Sequence, residues 1–201
     1  MRRLRSVGDP LTGNDPAGRG VRAEARQHRA PGAGSDLPTG EAGELLVRGP
    51  NITSGYVGDP AATATAIRNG WLHTGDYCRV DAEGFVYLLD RIKDVVIRGG
   101  YKVYSVELEY LLVSYPRIEQ AAVFGVPDRI AYEAVACYIT ATAGETVTAV
   151  VVRTFVHERM ADYAVPRHVR IVDETPRNKT GKIEKDLLRG LLTAELQAQQ
   201  H

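Results

Sequence analysis

The sequence predicts an α+β protein: a small β-rich unit over residues 39–92, followed by a compact α+β domain over 93–201 in which helices cover a sheet. Three observations carry this prediction. The stretch "LHTGDYCRVDAEGFVYLLDRIKDVVIRGGYKVY" is rich in β-prone residues and is cut by turn residues at Asp81–Gly84 and Gly99–Gly100. Beyond it, helical and strand patterns alternate at lengths that suit one sheet with helices packed on it. Near the end, "GKIEKDLLRGLL" sets leucines at helical spacing directly after a polar turn.

The elements follow in order. "GELLVRG" is a short strand. "DPAATATAIRNG" is a helix, capped by Asp59, with Pro60 in its first turn and Gly70 as its stop. The consecutive strands of 72–104 come next. "SVELEYLLVSYP" is a helix with Ser105 as its cap, Glu107 and Glu109 near its positive end and Pro116 past its last turn. Strands "AAVFGV" and "EAVACYITA", helix "TAVVVRTFVHERMA", strand "HVRIVDE" and a helix from about Ile183 complete the domain, with Ile183, Leu187, Leu188, Leu191 and Leu192 anchoring that last helix. The two units meet near Asp90–Lys93.

Residues 1–38 differ in kind. Over 1–34, seven arginines face only Asp9, Asp15 and Glu24, and the Gly/Pro/Ala/Arg-rich text keeps no period, so the segment is expected to be poorly ordered. It lacks the interleaved aromatics of a nucleic-acid-binding arm.

Composition bounds the function. With 44% hydrophobic and 25% charged residues, and 25 basic side chains against 25 acidic ones, the chain fits a soluble globular protein and offers no net field for nucleic acid or a membrane surface. No apolar run reaches the roughly 20 residues of a membrane helix, and "MRRLRSVGDP" lacks the apolar core of a secretion signal, so a cytoplasmic location is expected. Cys78 and Cys137 sit in apolar strand contexts without metal-ligand spacing. Buried thiols in a reducing compartment, and no metal site, are the expectation.

Several polar residues stand where chemistry could use them. Asp76 follows Thr74-Gly75 at a strand end, where a carboxylate either caps a turn or accepts from ligand hydroxyls. Arg91 can hold phosphate or hydroxyl oxygens, or pair at the surface with Asp90 or Asp94. The glycines of "IRGGYK" make a tight turn and expose backbone groups. Lys179, Lys182 and Lys185 crowd a helix start, where cations oppose the helix dipole, so helix stability alone does not place them.

Taken together, "GWLHTGD", "DRIKDVVIRGGYKVYSVELE" and "DYAVPRHVRIVDETPRNKTGKIEK" resemble, in order, spacing and wording, three successive motifs of the adenylate-forming acyl-CoA synthetases over about Gly40–Arg189. The resemblance implies that 39–92 is the end of that family's large N-terminal region and 93–201 its mobile C-terminal domain. It implies an acid activated by ATP to an acyl adenylate, then passed to the thiol of CoA. Asp76 would bind the ribose and Arg91 the nucleotide. Lys93 would be the hinge on which the C-terminal domain swings between half-reactions. Gly99, Gly100 and Lys102 would face CoA, and Lys182 would be the catalytic lysine on the carboxylate and α-phosphate oxygens. Ser105 departs from the proline many relatives carry there.

The Ser/Thr/Gly-rich phosphate loop with its lysine, the magnesium-binding glutamate segment and the acid pocket are not found in this sequence. The reading is therefore the C-terminal part of an ATP-dependent acyl-CoA ligase, not complete alone, whose magnesium site lies elsewhere, in an N-terminal region or partner chain. The alternative is a non-catalytic module that binds nucleotide, CoA or protein. "RSVGDPLTG" also resembles a family segment that precedes "GELLVRG", but the text between does not resemble the expected strand, which a frameshift or decay would explain.

Overall fold

Turn residues set the order of the elements, and apolar runs set which of them are buried. The computed structural model describes residues 37–83 and 85–199, with the backbone of four short strands before Leu37. Its elements are β1 (Arg3–Leu4), β2 (Gly13–Asn14), β3 (Gly20–Val21), β4 (Glu24–His28), β5 (Ala42–Arg48), α1 (Pro60–Ala66), β6 (Ile67–Arg68), β7 (Trp71–Val80), β8 (Val86–Arg91), β9 (Val96–Arg98), β10 (Tyr101–Val103), α2 (Ser105–Val113), β11 (Ile118–Asp128), β12 (Tyr132–Ala141), α3 (Ala149–His157), β13 (His168–Ile171) and α4 (Lys185–Ala198). Ile92–Asp94 forms a single 3-10 turn. The α+β expectation holds, and the chain divides into two compact units between Lys93 and Asp94.

The first unit is an antiparallel sheet in the order β1-β8-β7-β5-β4, with β6 also on β7. Leu46, Tyr77, Cys78 and Val86 are its buried apolar residues. Within the stretch 14–32 that does not resemble the expected strand, the backbone of Glu24–His28 pairs with Glu44–Arg48. An edge strand is held through its backbone, so the polar text "EARQH" need not alternate. The remaining expectations of poor order and decay over 1–36 fall largely outside the described residues.

Helix α1 is also shorter than predicted. Asp59 caps it, accepting from the Ala62 N–H at 2.8 Å, but the helix ends at Ala66 and Ile67–Arg68 turns back to pair with Trp71–Leu72. Asn69 and Gly70 both have positive φ, 52° and 77°, which is the two-residue hairpin turn that Asn-Gly favours. None of the helix's residues is buried, so packing does not extend it.

In the second unit, β12 is central. β11 runs along one edge of it from Ile118↔Ala141 to Asp128↔Tyr132, while β9, at Tyr132, and the parallel β13, at Ala136–Ile139, share the other edge. The uninterrupted apolar runs of β11 and β12 are explained by burial on both faces. Val123, Val135, Cys137 and Ile139 join a cluster with Leu108 and Leu112 of α2 and Val152 and Val156 of α3. Phe124, Val126, Ala134, Ala136 and Tyr138 point the other way, onto Leu188 and Leu192 of α4. Leu187 and Leu191 are 47% and 57% exposed, which corrects the predicted anchor set, whereas Ile183, just before the helix, packs against the same cluster as Leu188 and Leu192. Ser105 is the first residue of α2, with Tyr104 before it in the cap position.

Both cysteines are buried free thiols, and burial pushes the Cys137 thiol up to about 12. The β11–β12 turn is held by Asp128, whose carboxylate accepts from the N–H groups of Ala131 (2.8 Å) and Ile130 (3.0 Å); these bonds keep it below the usual carboxylate range. Directly after this turn Tyr132 has φ 69°, a left-handed conformation in which a Cβ costs about 1–2 kcal/mol. Tyr132→Gly is expected to raise the unfolding free energy by about 1 kcal/mol. Urea denaturation checks this, and an unchanged midpoint would count against it.

Candidate functional site

The candidate residues fall in two groups, one on each unit. On the first unit, Asp76 of β7 and Arg91 of β8 are register partners across the sheet. Thr74 locks the local backbone: its hydroxyl donates to the Leu45 carbonyl at 2.9 Å and accepts from the Asp76 N–H at 3.0 Å. Next to it Gly75 faces open space, for a Cβ there would meet nothing within 4 Å. Arg91 Nε lies 3.3 Å from Asp76 Oδ1, with the two side chains 59% and 26% exposed. Arg91 thus takes neither of the surface partners named from sequence for its guanidinium; Asp90 instead accepts from the Arg91 N–H at 2.7 Å. The pair presents a half-open carboxylate beside a guanidinium, which together can accept from hydroxyls and donate to phosphate oxygens. Three residues before Asp76 on β7, His73 Nδ1 is 3.0 Å from the buried Glu44.

Lys93 is the last residue of the first unit and is exposed. On the second unit, Gly99 and Gly100 form a two-residue turn between β9 and β10, with φ of 58° and 87°. Gly99 N–H donates to the Ala131 carbonyl at 2.8 Å, tying this turn to the β11–β12 turn. Positive φ at both positions demands residues without a Cβ penalty. Lys102 follows on β10, exposed, opposite Ile97. Beside the turn, the rings of Tyr101 and Tyr163 stack with centroids 4.6 Å apart.

Lys182 sits on a loop whose geometry is set by Asn178. The Asn178 Oδ1 accepts from the Thr180 N–H (3.0 Å), the Thr180 hydroxyl (2.7 Å) and the Lys182 N–H (2.9 Å), while Asn178 N–H donates to the Lys182 carbonyl at 2.8 Å. Arg177 closes the loop by donating to the Gly181 carbonyl and ties it to β11 through Gln120 Oε1 at 2.6 Å. The backbone of Lys182 is therefore fixed while its side chain is exposed, and among the described residues its ammonium makes no hydrogen bond or ion pair. Lys185 has a different fate. Its ammonium lies 2.7 Å from Glu109 Oε1 and 3.0 Å from Ser105 Oγ, and Glu109 also accepts from the Val123 N–H. That network pins the start of α4 to the start of α2.

Sequence reading missed Asn178, although Asn before Thr-Gly is an Asx-turn signal. It also missed the role of Lys185, whose partners lie about 80 residues away. Among the described residues, no group of three or more His, Cys, Asp or Glu side chains could hold a metal, and no helix is long and apolar enough to cross a membrane.

Comparison with known proteins adds a class to this geometry. The AMP-binding enzyme C-terminal domain matches residues 107–182, so that the match ends on Lys182. A 3-[(3aS,4S,7aS)-7a-methyl-1,5-dioxo-octahydro-1H-inden-4-yl]propanoyl:CoA ligase of Rhodococcus jostii strain RHA1 is 40% identical over 92% of this chain and 34% of its own length. A 2-succinylbenzoate–CoA ligase of Geobacillus kaustophilus strain HTA426 is 42% identical over 76% of the chain and 31% of its own. The crystal structure of ATP-bound MatB from Rhodopseudomonas palustris superposes with a TM-score of 0.77 at 34% identity, covering 85% of this chain and 34% of that one. The chain spans about a third of the length of the relatives it matches. It carries the AMP-binding enzyme C-terminal domain, and it corresponds to a C-terminal portion of the acyl-CoA ligases it is similar to.

Proposed function

We propose that this chain supplies the mobile catalytic domain and one edge of the nucleotide site of an ATP-dependent acyl-CoA ligase, with the phosphate loop and acid pocket in a region outside it. In this reading the substrate carboxylate attacks the α-phosphorus of ATP and pyrophosphate leaves. A thiol, that of CoA, then attacks the acyl carbonyl and AMP leaves as the thiol proton passes to solvent. Lys182 holds the carboxylate and α-phosphate oxygens, whose charge changes as the anhydride forms. Asp76 accepts from the ribose hydroxyls, and Arg91, whose Nε lies 3.3 Å from Asp76 Oδ1, donates to the nucleotide. The Gly99–Gly100 turn lets the thiol arm pass close to the backbone, with Lys102 donating to a phosphate. Lys93, at the boundary of the two units, is the hinge. Magnesium would accompany ATP; among the described residues no three His, Cys, Asp or Glu side chains gather to hold it.

The observation that carries the reading is the division of labour in "KTGKIEK": Lys185 is committed to Glu109 and Ser105, whereas Lys182 stands out from a loop rigidified by Asn178. The test is hydroxylamine trapping of acyl adenylate from pooled carboxylic acids, ATP and magnesium. The chain is assayed alone and mixed with the N-terminal region of a family ligase. Hydroxamate is expected only in the mixture and is expected to form roughly 100- to 1000-fold more slowly with Lys182→Ala. An unchanged rate after that substitution would overturn the assignment. In the mixture, Asp76→Ala is expected to raise KM for ATP roughly 10- to 100-fold, the range for one or two charge-assisted hydrogen bonds; an unchanged KM would remove Asp76 from the nucleotide site.

A further inference from the structure

The residue that follows Lys93 is an acid held far more tightly than its position in a connector requires. Asp94 is buried, 8% exposed as a residue. Its Oδ1 accepts from Arg189 Nη2 of α4 at 3.2 Å. Arg189 spends its other edges on the same structure: Nε donates to the Gly125 carbonyl of β11 at 3.2 Å, and Nη1 donates to Asp186 at 2.6 Å. Its guanidinium carbon lies 5.8 Å from the centroid of the Phe124 ring, the largest fully buried side chain. One planar fork thus joins a helix, a strand and the first residue of the unit, a geometry that a lysine ammonium cannot reproduce. Two residues further on, Val96 is fully buried and paired with Val103. On the other side of the boundary, Arg91 is 59% exposed and Lys93 is exposed.

We infer that Arg189 is a positioning residue for the hinge: it clamps Asp94 to the body of the second unit, so that a torsional change between the units is confined to Lys93. The inference rests on Lys93 being the hinge. A buried carboxylate without its cation is strongly disfavoured, so Asp94 stays with Arg189 whatever the connector does. Without the clamp, rotation would spread over 94–95 up to the first core residue, Val96. The domain would then reach each orientation less reproducibly, because a hinge needs a fixed point on each side.

The test uses the 201-residue chain with Arg189→Gln, Arg189→Lys and Asp94→Asn, read by amide hydrogen exchange. Arg189→Gln and Asp94→Asn are each expected to speed exchange in residues 92–98 roughly 10- to 100-fold, the factor for one lost charge-assisted hydrogen bond. Exchange over β11 and β12 should stay unchanged, and Arg189→Lys should restore protection only in part. Unchanged exchange at 92–98, or an equal rise throughout the second unit, would overturn the clamp. Asp94→Asn leaves the Gly125 and Asp186 contacts in place, so it reads the clamp even where Arg189→Gln unfolds the unit. A separate measurement addresses the hinge itself: dipolar distances between spin labels at the exposed Glu83 and Gln197. Lys93→Pro is expected to narrow their distribution and Arg189→Gln to broaden it. A distribution insensitive to Lys93→Pro would refute the hinge while leaving the exchange result on the clamp standing.

Discussion

Replacing Lys182 with alanine is expected to lower the adenylation rate of the complemented enzyme roughly 100- to 1000-fold, the range for removing one preorganised donor to a charge that develops in the transition state. The effect should fall on the rate of adenylate formation more than on the KM for ATP, because the ribose contacts assigned to Asp76 and Arg91 remain. Thioester formation from a preformed acyl adenylate should change little, since the Gly99–Gly100 turn is untouched. Folding should also be unaffected: the side chain is exposed and the loop is held through the backbone of Lys182 and the side chain of Asn178. Single-turnover measurement of both half-reactions checks this, and an equal loss in each would place Lys182 outside the chemistry of adenylation.

Leu192→Ala is expected to cost about 2–5 kcal/mol of unfolding free energy. Leu192 is fully buried against Phe124, Tyr138 and the alanines of β11 and β12. Leu188 and Leu192 are the buried leucines of α4, with Leu196 packed partly buried beside them, so losing Leu192 removes a central part of the anchor. Leu191→Ala, at a 57% exposed position on the same turn, should cost under about 1 kcal/mol. Chemical denaturation followed by far-UV circular dichroism distinguishes the two, and equal costs would mean that α4 packs on a different face.

That contrast shows what a single sequence could and could not give. In "DLLRGLL" the pairs Leu187/Leu191 and Leu188/Leu192 satisfy the same four-residue spacing, and only the sheet decides which stripe is inside. The strands of the second unit were legible because two-faced burial leaves unbroken apolar runs, and the Gly99–Gly100 turn because its glycines have no other local use. The end of α1 was misjudged because Gly70 was read as a helix stop, when Asn69-Gly70 is a hairpin turn. Local grounds also could not show that the Ser105 hydroxyl accepts from Lys185, 80 residues away. The three lysines of "KTGKIEK" could not be sorted by composition. What separates them is Glu109, brought to Lys185 by the packing of α2 and α4 onto the sheet.

The state of the two cysteines has a consequence for chemistry in solution. An acyl adenylate is an electrophile that any accessible thiolate could intercept. Cys78 and Cys137 are both fully buried, and the Cys137 thiol, pushed up to about 12, stays protonated at neutral pH. Burial therefore keeps both sulfur atoms away from electrophiles in solution while the chain is folded.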